Sequence, residues 1–121
     1  MNRYGRIAYL RQGKETVYDK YHKKVWPAII RVIKQLGVKT YSIFRHRRKL
    51  FSYMELHKGI SLEEFTRLWM KNSICCRWEK IMQTLQQPVK NKKNMTYWIP
   101  MKEIFHTKNL RTNGKRRKMK K

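Results

Sequence analysis

Acidic side chains are scarce. Seven Asp and Glu stand against 31 Lys and Arg in 121 residues, a formal charge of +24. This leaves little material for a paired-carboxylate mechanism. Glu55 and Glu103, on strand-like stretches among so many cations, are expected to form ion pairs rather than act as acid and base. Cysteine is scarce too: Cys75 and Cys76 are adjacent. Neighbours on a helix point about 100° apart and do not face each other. That excludes a disulfide framework and a CxxC zinc site, and it fits a reducing compartment. A cysteine nucleophile would need a base that the sequence does not identify. His46 and His57 are not spaced to share a metal with any carboxylate, so no metal site is expected. No apolar run approaches the roughly 20 residues of a membrane span. Met1-Asn2-Arg3-Tyr4 lacks the apolar segment of a signal peptide. A cytoplasmic protein without membrane contact is the expectation.

What is present argues for a folded chain. Hydrophobic residues make up 40% of it, with four Trp, seven Tyr and four Phe, too apolar for disorder. The length suits one domain with a modest core. Basic residues lie in every segment, but the dense cluster is terminal: Arg111, Lys115-Arg116-Arg117-Lys118 and Lys120-Lys121. It has no apolar periodicity and should be self-repelling and disordered. One domain over 1–106 and a basic tail over 107–121 are therefore expected, the tail being able to contact polyanions nonspecifically.

The stretch from Glu15 to Pro27 carries the candidate chemistry. At about 100° per residue, Val25, Ile29, Val32 and Leu36 fall within about 40° of Tyr18, His22 at about 40° and Ile33 at about 60°. Tyr18 and His22 thus share the stripe that should face inward. Pro27 clashes with a preceding helical turn and suits the first position of a new one, so the helical region 15–36 should break near Trp26. Gly37 is a suitable stop.

Around it the pattern alternates. Arg3–Leu10 reads as a strand, Arg11–Lys14 as a turn, Val38–Phe44 as a second strand and Leu50–His57 as a third. Arg45–Lys49 lacks the Asn-Gly chemistry of a tight hairpin, so a longer or bulged turn is expected. Ser61 and Glu64 mark a helix start, followed by two helical parts, about 62–72 and 74–85. Gln86–Thr96 reads as a polar loop. Tyr97–His106 reads as an extended edge segment broken by Pro100. The order β-α-β-β-α-β is that of the ferredoxin-like, split βαβ arrangement, an α+β fold. Both strand faces carry large apolar residues, and two helices cover only one. The other face needs a cover, and a second copy of the sheet would supply it, so a homodimer is expected.

Several segments, in order, resemble the L-rhamnose mutarotase family: Tyr18-x-x-x-His22-x-x-x-Trp26-Pro27, Gly37-x-x-x-Tyr41-Ser42-Ile43-Phe44, Leu50-Phe51-x-Tyr53-Met54-Glu55, Cys76-Arg77-Trp78-x-Lys80-x-Met82 and Met101–His106. The match runs over roughly residues 3–107. The resemblance implies a cofactor-free aldose 1-epimerase that interconverts the α and β anomers of a 6-deoxyhexose, typically L-rhamnose. It implies a dimeric α+β barrel of ferredoxin-like subunits. The family's proton-donating histidine falls on His22, its substrate-contacting tyrosines on Tyr18 and Tyr41, and its tryptophan on Trp78. The family commonly has a second tryptophan next. Here Glu79 takes that place at the sugar, a carboxylate where the family has a stacking surface.

The chemistry suits these residue types. Ring opening takes a proton from the anomeric hydroxyl and places one on the ring oxygen. An imidazole can exchange one of these protons and a phenol can orient the other. No metal, nucleotide or redox group is required. The charge supports a rival reading, a polyanion (RNA/DNA)-binding ferredoxin-like module whose aromatics stack bases. No RNA-recognition signature lies on the third strand.

Overall fold

The computed structural model describes residues 2–91 and 94–108. Its sheet is built on β1 (Asn2–Leu10), β2 (Val38–His46) and β3 (Lys49–Leu56), with short strands β4 (Gln86–Gln87) and β7 (Ile99–Met101) on the far edge of β1. The strand order is β2-β3-β1-β4, and every pairing is antiparallel. The helices are α1 (Glu15–Lys23), α2 (Pro27–Gln35), α3 (Leu62–Lys71) and α4 (Ser73–Leu85). A small hairpin of β5 (Val89–Asn91) and β6 (Asn94–Thr96) interrupts the last edge. The architecture is α+β, an antiparallel sheet with helices on one face. Among the described residues no helix is long and apolar enough to cross a membrane.

The register fixes which side chains meet the helices. Tyr4, Arg6 and Ala8 sit opposite Met54, Ser52 and Leu50, while Tyr41 and Ile43 sit opposite Met54 and Ser52. Partners directly across a ladder share a face, so these residues form the covered side. Ala8, Leu10, Leu50, Met54 and Leu56 are buried there against Tyr18, Ile29, Phe65, Trp69, Trp78 and Met82. The opposite face presents Ile7, Phe51 and Phe44 across the strands, with Tyr53, Ile99 and Met101 beside them. Phe44 is 63% exposed and Met101 43%. Among the described residues no helix covers that side.

Local chemistry sets the helix ends. The helical region breaks at Lys24–Trp26, and Pro27 opens α2 at its first turn. The apolar stripe still runs through both pieces: Tyr18, Ile29 and Val32 are buried, and Val25, Ile33 and Leu36 pack against them. Gly37 ends α2 with φ of 91°, a left-handed conformation that costs glycine little. Ser61 caps α3 by accepting from the Glu64 amide at 3.0 Å, and Asn72 caps α4 by accepting from the Ile74 and Cys75 amides.

Three expectations are corrected. The link between the second and third strands is no long or bulged loop: His46 pairs with Lys49, leaving Arg47-Arg48 as a two-residue turn. Arg47 takes φ of 55°, left-handed backbone that is unfavourable for a residue with a Cβ. The long register of β2 with β3, which buries Leu50, outweighs the turn chemistry. Arg47→Gly relieves this conformation but loosens the unfolded chain. A net gain of about 0.5 kcal/mol is expected in denaturant unfolding. Second, Gln86–Thr96 is no plain loop. Gln86 and Gln87 pair with Leu10 and Tyr9, which satisfies the free edge of β1 where Leu10 is buried. Third, the extended segment 97–106 keeps only Ile99–Met101 as strand, an edge position that tolerates Pro100. Of the expected tail, residues 109–121 lie outside the described residues, and so does its polyanion contact.

Candidate active site

The covered face of the sheet lines a half-open cavity of ≈ 410 Å³ beneath α1, α2 and α4. Small-molecule sites typically span roughly 300–1,000 Å³. Tyr18, His22, Tyr41, Trp78 and Glu79, the residues singled out from sequence, all line it. They come from two helices and one strand. α1 supplies Tyr18 and His22 one turn apart, β2 supplies Tyr41 from the covered face, and α4 supplies Trp78 and Glu79. Much of the remaining lining is aliphatic: Val25, Ile29, Ile30, Ile33, Val38, Ile43 and Met82.

The two α1 rings stack with centroids 4.2 Å apart and planes 27° apart. His22 Nδ1 lies 2.9 Å from the Tyr18 carbonyl oxygen. That oxygen can only accept, so Nδ1 carries the proton and donates it. In the neutral ring Nε2 is then the bare nitrogen, a proton acceptor. Burial pushes the imidazole below its ordinary 6.5, and the Tyr18 carbonyl and Asp19 offset only part of this. His22 is therefore neutral near pH 7. Burial, with Tyr41 and Glu79 nearby, pushes the Tyr18 phenol far above its ordinary 10. It stays a hydroxyl, able to donate.

Trp78 is 5% exposed. The rings of Tyr21, His22 and Trp26 meet it at steep angles, with centroids 5.9, 5.6 and 5.0 Å away. It is core packing and cavity wall at once, and it holds the back of the His22 ring. Glu79 is partly buried and accepts from Trp69 Nε1 at 3.1 Å. Burial raises its carboxyl, while Trp69 and then Arg6 act the other way.

Sequence reasoning missed Arg6, Gln86, Trp69 and Trp98. Arg6 Nη2 donates to the Tyr41 hydroxyl at 2.9 Å, and Arg6 Nε donates to Ser52 Oγ at 3.3 Å. The guanidinium lies 5.0 Å from the Trp98 ring centroid and 5.9 Å from that of Tyr41. This fixes the Tyr41 oxygen as an acceptor from arginine and leaves its own proton to donate into the cavity. The signal for Arg6 was available: it shares the alternation of Tyr4, Ala8 and Leu10, so a lone cation was due to point inward. Gln86 and Trp98 gave no such signal, because both sit in a segment with no clear period.

The other candidates fall away from the cavity. Glu103 pairs with Arg3 at 3.1 Å, as expected, and Glu55 accepts from the Tyr53 hydroxyl at 2.6 Å. Burial pushes the Cys75 thiol up to about 11, which makes it a poor nucleophile. Among the described residues no group of three His, Cys, Asp or Glu is placed to hold a metal.

Comparisons with known proteins point to one family. The family profile described as "rhaM: L-rhamnose mutarotase" matches residues 3–107. An L-rhamnose mutarotase of Oceanobacillus iheyensis is 29% identical over 108 residues, covering 88% of this chain and 98% of the relative. One from Opitutus terrae is 30% identical and covers 78% of this chain and 86% of its own length. The crystal structure of an L-rhamnose mutarotase from Formosa agariphila superposes with a TM-score of 0.68 at 24% identity, over 88% of this chain and 98% of that one. At that identity the likeness speaks for the fold.

Proposed function

The chain belongs to the L-rhamnose mutarotase family, and on that basis we propose that it is an aldose 1-epimerase for a 6-deoxyhexose, L-rhamnose first. The observation that carries this reading is the bare Nε2 of a neutral, half-buried imidazole lining a largely apolar cavity beside a phenol that stays protonated.

The proposed cycle needs one proton shuttle. O1 and the ring oxygen O5 are bonded to the same carbon. His22 Nε2 takes the proton from O1–H as C1=O1 forms and the C1–O5 bond breaks. The imidazolium then gives that proton to O5. The open aldehyde turns about C1–C2, and the sequence runs backward on the other face: Nε2 takes the O5 proton, O5 attacks C1, and O1 receives the proton. Atoms and charges balance, and His22 is base first and donor second. The Tyr18 hydroxyl, one turn away, donates to a sugar oxygen and holds the ring toward His22. Tyr41, fixed by Arg6, donates to a hydroxyl. Trp78 offers a wall to the C–H face, and Glu79 accepts from a sugar hydroxyl where relatives stack a ring. All this is polar chemistry on the sugar's own oxygens, with no cofactor in any step.

The strand order supports a ferredoxin-like subunit; we take 1–106 as that domain, 107–121 as a basic tail and the cytoplasm as the location. The uncovered sheet face supports a homodimer, the two sheets packing into a dimeric α+β barrel. Phe44 lies on that face, opposite Phe51. Phe44→Glu is expected to reduce the mass by light scattering from a dimer to the 15.0 kDa chain. A variant that kept the parent mass would place the interface elsewhere.

The function itself is tested by polarimetry. Freshly dissolved α-L-rhamnose should reach its equilibrium rotation faster with the protein than without it. L-fucose and other 6-deoxyhexoses, run alongside, rank the preference that Glu79 imposes. No acceleration for any of them counts against an epimerase.

A further inference from the structure

Among the described residues, one buried polar atom in the cavity wall has no hydrogen-bond partner. Gln86 is 1% exposed, and among the described residues its buried Oε1 has no hydrogen-bond partner. Its side chain lines the same cavity as Tyr18, His22 and Glu79. Its backbone amide donates to the Met82 carbonyl at the end of α4, and the residue pairs with Leu10 in the sheet. The side chain is therefore anchored at the junction of a helix and a strand. It lies beside the Tyr18 hydroxyl, whose proton it makes slightly easier to lose against the larger effect of burial.

An orphaned buried carbonyl oxygen is unfavourable, because it has given up water and received nothing. Leucine or methionine would fill the same space without that penalty, so the glutamine calls for an explanation, and on a cavity wall a bound ligand can supply the missing donor. The rest of the cavity says which ligand. Gln86 Oε1, the Glu79 carboxylate and His22 Nε2 are all acceptors. With the Tyr18 and Tyr41 hydroxyls as donors beside these acceptors and Lys34, Lys39 and Thr40 also on the wall, the cavity offers both donors and acceptors, which suits a molecule rich in hydroxyls.

We infer that Gln86 is a substrate-binding residue of this site: its Oε1 accepts a hydrogen bond from a sugar hydroxyl next to the oxygens served by Tyr18 and His22, and it thereby selects for a sugar that carries that hydroxyl. This rests on the epimerase reading and adds to it a specificity determinant. Because the contact is made to a spectator hydroxyl, it persists in the bound sugar and in the transition state alike, so it acts mainly on KM.

The experiment uses the full chain and anomer-exchange NMR with L-rhamnose and with its 2-, 3- and 4-deoxy analogues, for the parent protein and for Gln86→Leu. With L-rhamnose, Gln86→Leu should raise KM about 3- to 10-fold with kcat nearly unchanged, the worth of one neutral hydrogen bond. With the one analogue that lacks the bonded hydroxyl, parent and variant should have the same KM. The thermal midpoint of sugar-free Gln86→Leu should equal or exceed that of the parent, since an unpaired buried acceptor has gone. A loss of similar size on every sugar, or no loss on any, overturns the assignment while leaving the epimerase in place. A fall in the midpoint with kcat and KM unchanged overturns it in favour of a purely structural glutamine. A parent protein that exchanges none of these sugars brings down the epimerase reading first, and this assignment with it.

Discussion

His22→Ala should lower the anomer-exchange rate by about 10²- to 10⁴-fold, the usual contribution of a positioned acid–base group. The fold should survive, because His22 is only partly buried and its one hydrogen bond runs to a carbonyl within its own helix. Far-UV circular dichroism and the unfolding midpoint check that survival. The pH profile of the parent protein carries the same claim. Burial depresses the imidazole below its ordinary 6.5, and the base form is the working one. Exchange should be flat across neutral pH and fall as pH drops through the depressed value, below 6.5. A profile that instead rises as pH falls would assign the first step to the imidazolium. Stability follows the same group. In the unfolded chain His22 binds its proton at its ordinary 6.5, and in the folded chain only below that. Between those two pH values the unfolded state carries more protons, so stability falls as pH drops through that window and the contribution is full above it.

Trp78→Ala should destabilise the protein by about 3–5 kcal/mol, the range for losing a buried Trp or Phe. That is a large share of the roughly 5–15 kcal/mol by which a native domain is stable. Trp78 is nearly fully buried, and three rings meet it. Their removal of contact is not local to the core, because one of those rings is His22. Trp78→Phe keeps an aromatic body in the gap at lower cost and separates the two roles. It should fold, with a midpoint below the parent, and should exchange anomers more slowly because the His22 ring is less firmly held. Chemical denaturation of both variants, with exchange rates for Trp78→Phe, gives the two readings independently. A Trp78→Ala protein as stable as the parent would contradict the packing described for α4 against α1.

Legibility in the sequence followed the strength of the period. The stripe from Tyr18 to Leu36 was readable straight through the proline break, because burial of Ile29 and Val32 against the sheet keeps both helical pieces on one axis of contact. The caps at Ser61 and the sharp stop at Gly37 were readable because each residue does one local job. The Arg47-Arg48 turn was not, since its geometry is imposed by eight paired positions in the ladder behind it rather than by the turn residues. The strands after α4 were not readable either: two or three residues are too few for an alternation, and only the free edge of β1 calls for them. At the site, Tyr18, His22, Tyr41, Trp78 and Glu79 came from resemblance and helical spacing, and the structure brings them to one cavity. Gln86 came only from the structure, and so did the use of Arg6, although the alternation already pointed Arg6 inward. A cation on an apolar face and an amide at a helix end reveal their use once their neighbours are known.

Saturation transfer between the α and β anomeric protons of L-rhamnose at equilibrium tests the central claim most directly. Added protein should carry saturation from one anomer to the other well above the spontaneous rate, and His22→Ala should return the signal to that spontaneous level. Equal transfer with parent and variant, or none above background with the parent, would contradict an imidazole-driven ring opening in this cavity.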